Sequence, residues 1–198
     1  MHGLICKALE GFVIDQHGLP EWVAICDAGG SPVRRFEAMR IYDDAVMLRL
    51  VAAGAHRLDR SRMSLCEDVG HWVCTHPPLE PVRRLFRFSG SEFVDLLHSL
   101  DELHERAQMA VPGIDVPRYR LTAVAPGRYR VASRWSVAGG GAVLTGILRA
   151  MADDYGTLAM IEPGPMREID AAWHETVEIH IAEQDFSEGR TFALGGAA

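Results

Sequence analysis

The sequence predicts an α+β protein, with a helical N-terminal lobe followed by a lobe that combines an antiparallel sheet with one packed helix. Three observations predict this. Apolar residues recur at helical spacing from Leu4 to Val111, the period changes to two at Arg118, and a single helical stretch interrupts the strands after Gly139-Gly140-Gly141. At 198 residues and 48% apolar content, the chain reads as one domain over 1–185. The helical lobe is expected at about 1–80 and the sheet lobe at about 81–185. Residues 186–198 form a polar, glycine-rich tail expected to fray.

Each element has its own signal. Leu4, Ile5, Ala8, Leu9, Phe12 and Val13 share one helical face, and Gly18 and Pro20 stop that helix. A short helix follows over Glu21–Cys26. Asp43 or Asp44 caps a helix carrying Val46, Met47, Leu50 and Val51, with Gly54 as its stop. Ser61 caps the next, which turns Met63, Cys66, Val69 and Val73 inward and ends at His76-Pro77-Pro78. Ser89 and Glu92 have capping-box spacing before one long helix. Its stripe is Phe93, Leu96, Leu97, Leu100, Leu103, Ala107 and Val111, and Pro112-Gly113 stops it. Arg118–Val124 and Tyr129–Trp135 form a hairpin about Pro126-Gly127. Val143, Leu144, Ile147, Leu148 and Met151 mark the later helix. Strands follow at Thr157–Ile161 and Trp173–Ile181.

Composition excludes several classes of function. The formal charge of −7 and the lack of a basic run argue against a nucleic-acid partner. No apolar stretch reaches the ~20 residues needed to span a bilayer, and Met1–Ile5 does not read as a secretory leader. Cys6, Cys26, Cys66 and Cys74 form no CxxC pair, so they read as free thiols in a reducing cytoplasm. Cys66, His71, Cys74 and His76 are zinc-type donors close in sequence, but their spacing matches no zinc motif, and both readings stay open. No nucleophile elbow, P-loop, dinucleotide fingerprint or HExxH is present, so no enzyme is expected.

One residue stands out on the long helix. His104 lies four residues after Leu100 and seven after Leu97, on the side of the core stripe. A core histidine with a satisfied hydrogen bond is the plain reading. An imidazole held in an apolar pocket by a rigid helix is also what an iron ligand requires.

The segment Ser99-Leu100-Asp101-Glu102-Leu103-His104-Glu105-Arg106 resembles the proximal-histidine helix of the H-NOX (haem nitric oxide/oxygen binding) family. Pro112-Gly113 and Pro117 fall where that family has its link and the proline that presses on the porphyrin. The opening Met1–Glu10 and Tyr42-Asp43-Asp44 are similar to further family segments. The resemblance runs from residue 1 to about residue 182. It implies a haem b held between a helical lobe and a sheet lobe, with His104 as the iron ligand and Pro117 against the ring. The distal wall it implies is Ile5, Leu9, Val73 and Val143. None of these is a tyrosine that could donate to bound oxygen, so nitric oxide is the implied gas. The implied partner is a separate signalling protein, such as the histidine kinase or diguanylate cyclase that standalone bacterial members regulate.

The sequence departs from the family at one motif. The family grips the haem propionates with Tyr-x-Ser-x-Arg on the second hairpin strand, and this chain lacks it. Counting from Pro117 puts Ser133, Trp135 and Val137 in the three places. Counting back from Gly146 puts Arg134, Ser136 and Ala138 there, and Arg134 and Ser136 then become the propionate partners. A haem-free module of the same fold is the alternative, binding another tetrapyrrole or an apolar ligand, or acting as a protein-interaction domain.

Overall fold

A computed structural model of the protein describes residues 1–190. Helix α1 (Gly3–His17) opens at His2, whose Nδ1 accepts the Leu4 N–H at 3.3 Å. Gly18, at φ 87°, turns the chain into α2 (Leu19–Ala28). Pro20 therefore does not end the first helix but sits in the first turn of the second, where its missing N–H costs nothing. Helix α3 (Asp44–Arg57) is capped by Asp43, and α4 (Arg62–Thr75) by Ser61. Gly54 does not stop α3. It lies inside the helix, where a Cβ would stand 3.2 Å from the Leu65 side chain, so its smallness serves packing.

Pro77–Leu79 form a 3₁₀ turn that leads into α5 (Glu80–Arg87), an element the sequence pattern did not reveal. Its anchor is polar: buried Arg83 donates through Nε to Asp154 at 2.6 Å.

The expected long helix is two. Helix α6 (Phe93–Ser99) and helix α7 (Leu103–Ala110) are separated by a 3₁₀ turn over Leu100–Glu102. Asp101 in that turn accepts the Leu121 N–H at 2.6 Å, which draws the chain towards the sheet and offsets the lost helical bonds. The capping box at the start of α6 pairs Glu92 with Asp95 rather than Ser89 with Glu92.

The sheet consists of β1 (Arg118–Ala125), β2 (Arg128–Trp135), β3 (Leu158–Ile169) and β4 (Ala172–Glu183), all antiparallel, in the order β1-β2-β4-β3. Strand β3 outruns its expected end at Ile161, with an irregularity between Pro163 and Met166. The β3–β4 hairpin turns on Asp170 and Ala171, both at positive φ. Helix α8 (Gly140–Tyr155) packs on the inner face of the sheet. The tail expected to fray from residue 186 is tied down as far as it is described: Ser187 N–H donates to Gly156 O at 3.0 Å and Arg190 N–H to Asp154 O at 2.9 Å. The remainder of that tail, 191–198, lies outside the described residues. No helix among the described residues is long and apolar enough to cross a membrane.

Two cores result. The first gathers Cys6, Leu9, Phe12, Trp22, Leu50, Leu65 and Trp72 from α1–α4. The second gathers Phe93, Leu97, Leu100, Tyr119, Val131, Leu144, Leu148 and Val177 from α6, α8 and the sheet. Helices α4 and α8 join them in the most extensive helix–helix contact of the fold. That contact depends on two glycines. A Cβ on Gly70 would strike the Val143 carbonyl, and one on Gly146 would strike the Glu67 carbonyl. Backbone cannot swing aside as a side chain can. Gly70→Ala and Gly146→Ala are each expected to destabilise the fold by about 1–3 kcal/mol, read as a lower midpoint in urea unfolding.

Candidate functional site

His104 occupies the second position of α7 and is 4% exposed. Its Nδ1 lies 2.7 Å from the backbone oxygen of Val116. A carbonyl only accepts, so Nδ1 carries the proton and donates. In the neutral ring this leaves Nε2 with a lone pair. That Nε2 is buried and has no hydrogen-bond partner. Leaving such an atom unpaired costs about 1–3 kcal/mol. A metal ligand is oriented in this same way, with one ring nitrogen tied to a backbone carbonyl and the other free to donate.

The residues after Val116 carry the site into the rest of the molecule. Pro117 is buried and packs on the first turn of α8, where a Cβ on Gly140 would stand 2.8 Å from its Cγ. The same added atom would lie 3.4 Å from Trp135 Cε3, so Pro117 and the indole meet over one bare stretch of backbone. Gly139, at φ 109°, starts this helix in a conformation that disfavours side chains. The glycine run is thus explained by steric demand at each position.

A carboxylate the sequence reading passed over completes this corner. Glu175 is 5% exposed and accepts the N–H groups of Gly139 and Gly141, each at 2.6 Å. It satisfies two of the donors left open at a helix start and places negative charge against the positive end of the dipole. Burial, together with this carboxylate, raises the Tyr119 phenol and pushes the Cys66 thiol up to about 11. The signal for Glu175 was available: it alternates with Trp173, Val177 and Ile179 on the core face of the strand.

The structure orients the strand that follows Gly127. Ser133 and Val137 are buried and Trp135 is half-buried, whereas Arg134 and Ser136 are exposed. The count from Pro117 therefore describes the inner face. Arg134, assigned to the cofactor on the other count, is turned to the outer face because side chains alternate along a strand, whereas Ser136 lies just past the end of β2. Trp135 donates through Nε1 to Asp115 at 3.0 Å. A cleft of about 120 Å³ at this end is lined by His2, Asp44, Asp115, Trp135, Ser136 and Val137. No arginine or lysine lines it; two carboxylates do, and the Met1 ammonium beside them is paired with Asp44.

The remaining expected residues are apolar and distributed. Leu9 is buried in the first core, and Val73 packs against that core. Ile5 and Val143 are half-buried. Val143 lies at the α4–α8 crossing, where its carbonyl faces Gly70. The cysteine–histidine set does not converge. Cys74 is buried, His71 is exposed, His76 stacks on Trp72, and no group of three metal-type donors is found among the described residues.

The family model described as Haem-NO-binding, HNOB, matches residues 2–162. The chain belongs to this family, the H-NOX domains. A relative, soluble guanylate cyclase 89Db of Drosophila melanogaster, is 21% identical over 122 residues, which is 62% of this chain and 18% of the relative. The chain thus spans under a fifth of that protein's length. A mutant of T. Tengcongensis H-NOX superposes with a TM-score of 0.77 at 17% identity, covering 93% of this chain and 99% of that one. An oxygen-binding H-NOX domain related to soluble guanylate cyclases, in its oxygen complex, gives a TM-score of 0.69 at 17% identity, covering 96% and 100%. At these identities the structural likeness is one of fold, and it matches the α+β architecture described above.

Two outcomes test the site. Glu175→Ala strips two buried N–H groups of a charged acceptor and is expected to cost roughly 2–4 kcal/mol. Glu175→Gln, which keeps one acceptor, should cost less in the same denaturation experiment. Burial holds the thiols of Cys6, Cys26 and Cys66 at about 11 and that of Cys74 at about 12. The thiolate forms only above its pKa, so iodoacetamide at neutral pH should label none of the four in the folded protein and all four once it is unfolded.

Proposed function

We propose that this chain is a haem-based gas sensor that holds haem b through His104, takes nitric oxide as its ligand, and signals to a separate partner protein. The observation that carries this reading is the buried, unpartnered Nε2 of His104, with Nδ1 anchored on Val116 O. When bound, the haem supplies a ferrous iron with a position open to a diatomic gas. The chain supplies the rest. Helix α7 and the Val116 carbonyl fix the ring's tautomer and direction, and Pro117 sits next along the chain. The distal wall of Ile5, Leu9, Val73 and Val143 offers no side-chain hydrogen-bond donor. Bound oxygen gains from such a donor, so its absence favours nitric oxide.

Signalling rests on how His104 is connected. Any displacement of α7 passes through Val116 to Pro117, and from Pro117 to the α8 backbone at Gly140. The 3₁₀ turn at Leu100–Glu102 lets α7 shift while α6 stays in the second core. A partner such as a histidine kinase or a diguanylate cyclase reads the shift if it prefers one of the two arrangements. A cytoplasmic setting accords with the four free cysteines.

A second reading is favoured by one observation: on the count from Pro117, Val137 stands where the family has its cation for the haem carboxylates and Trp135 where it has a serine, beside Asp115 and Asp44. On that reading the fold is a haem-free module for another tetrapyrrole or an apolar ligand, or a protein-interaction domain. A haem titration separates the two. The sensor shows a sharp Soret band that shifts on adding nitric oxide and is lost in His104→Ala. A folded wild-type protein that stays colourless with haem in excess overturns it and leaves the module.

A further inference from the structure

The outer face of the sheet carries a line of positive charge. Arg118 on β1 pairs across to Arg134 on β2, Arg134 pairs to His174 on β4, and His174 pairs to Arg167 on β3. The four side chains form one row perpendicular to the strands. Arg120, Arg128 and Arg130 flank it on the same face, and the acids there are Glu162 and Glu178. Arg130 is paired with Glu178 at 2.5 Å. Among the described residues, Arg120, Arg128, Arg134 and Arg167 form no ion pair, and all four are exposed. This face belongs to a chain whose formal charge is −7. Like charges set directly opposite one another weaken a sheet, so the row carries a folding cost that an arriving anion would relieve.

We propose that this row docks an acidic helix of a partner protein. The spacing fits: neighbouring strands lie about 4.7–4.9 Å apart, and helical residues three or four apart present their side chains about 5–6 Å apart. A helix with glutamates at that interval, laid across the four strands, meets an arginine on β1, β2 and β3 and an imidazole N–H donor on β4. A nucleic acid fits less well. The strand aromatics Tyr119, Tyr129, Trp135 and Trp173 occupy inward register positions, and the rings this face carries are only the small imidazoles of His174 and His180. The same face also exposes Val124, Met160 and Ile169, but they stand off the row itself, so a lipid surface is the competing occupant that the vesicle arm below decides.

The row is joined to the site. Arg118 directly follows Pro117, and its guanidinium holds Glu105, the neighbour of His104, at 2.7 Å. When α7 moves, Arg118 exchanges Glu105 for a carboxylate of the partner, so docking and the state of His104 bias each other. This coupling rests on the sensor reading; the docking itself does not.

The probe is a synthetic helical peptide of about 20 residues with glutamate at every third or fourth position, and its glutamine counterpart. Binding is read by fluorescence anisotropy against the wild-type chain and an Arg134→Glu/Arg167→Glu double variant. The glutamate peptide is expected to bind, to weaken as salt rises from about 0.05 to about 0.3 M, and to lose about tenfold or more in the double variant. Arg134→Glu places a carboxylate between Arg118 and His174, so the variant should melt no lower than the wild type. Equal binding of both peptides, an unaffected double variant, or tighter binding of single-stranded DNA or phosphatidylserine vesicles would overturn the proposal. Haem uptake is scored on the same sample: a colourless protein that binds the peptide keeps the docking row and loses the sensor, and a haem-loaded protein that ignores the peptide does the reverse.

Discussion

The hydrogen bond from His104 Nδ1 to the Val116 carbonyl is the constraint around which this fold is arranged. It commits the ring to one tautomer and leaves Nε2 buried with no hydrogen-bond partner. A protein gains nothing in stability from such an atom. The surroundings are costly to build as well. A helix is interrupted at Leu100–Glu102 so that α7 can start where it does, and Asp101 is spent on holding β1 beside it. Local order is given up where an unpartnered lone pair results, and on the proposed reading that lone pair is directed at a ligand.

Helix α8 is the wall that connects this histidine to everything else. Its first turn is bare backbone because Pro117, Trp135 and Glu175 crowd it, and its middle touches α4 backbone to backbone at Gly70 and Gly146. The Glu175 carboxylate fixes the helix start from the sheet side. These contacts tie α8 to both cores at once. The far end of the site is different in kind. There the chain has an indole, a valine and two aspartates. The histidine and proline of the family resemblance are both present and buried, and the propionate motif is not.

Much of this was legible in the sequence, because periodicity is a strong local signal. The helical stripe, the hairpin and the placing of His104 on an apolar face all follow from spacing. Other features were hidden for identifiable reasons. Helix α5 is short and anchored by the Arg83–Asp154 pair rather than by an apolar stripe. The break before α7 depends on a contact from Asp101 to Leu121, twenty residues away in the chain. The orientation of Arg134 and Ser136 required strand register, which two rival counts left open. Glu175 was readable only by taking the inward alternation of β4 as seriously as its outward one. The basic row is invisible as a run, since Arg118, Arg134, Arg167 and His174 come together only when four strands pair.

Resonance Raman spectroscopy of the ferrous, haem-loaded protein tests the central claim most directly, because the iron–histidine stretch reports the bond itself. The account requires that band in the wild type, its loss in His104→Gly, and its return when free imidazole is added to that variant. A haem-loaded protein whose iron–histidine band is unchanged in His104→Gly would contradict it.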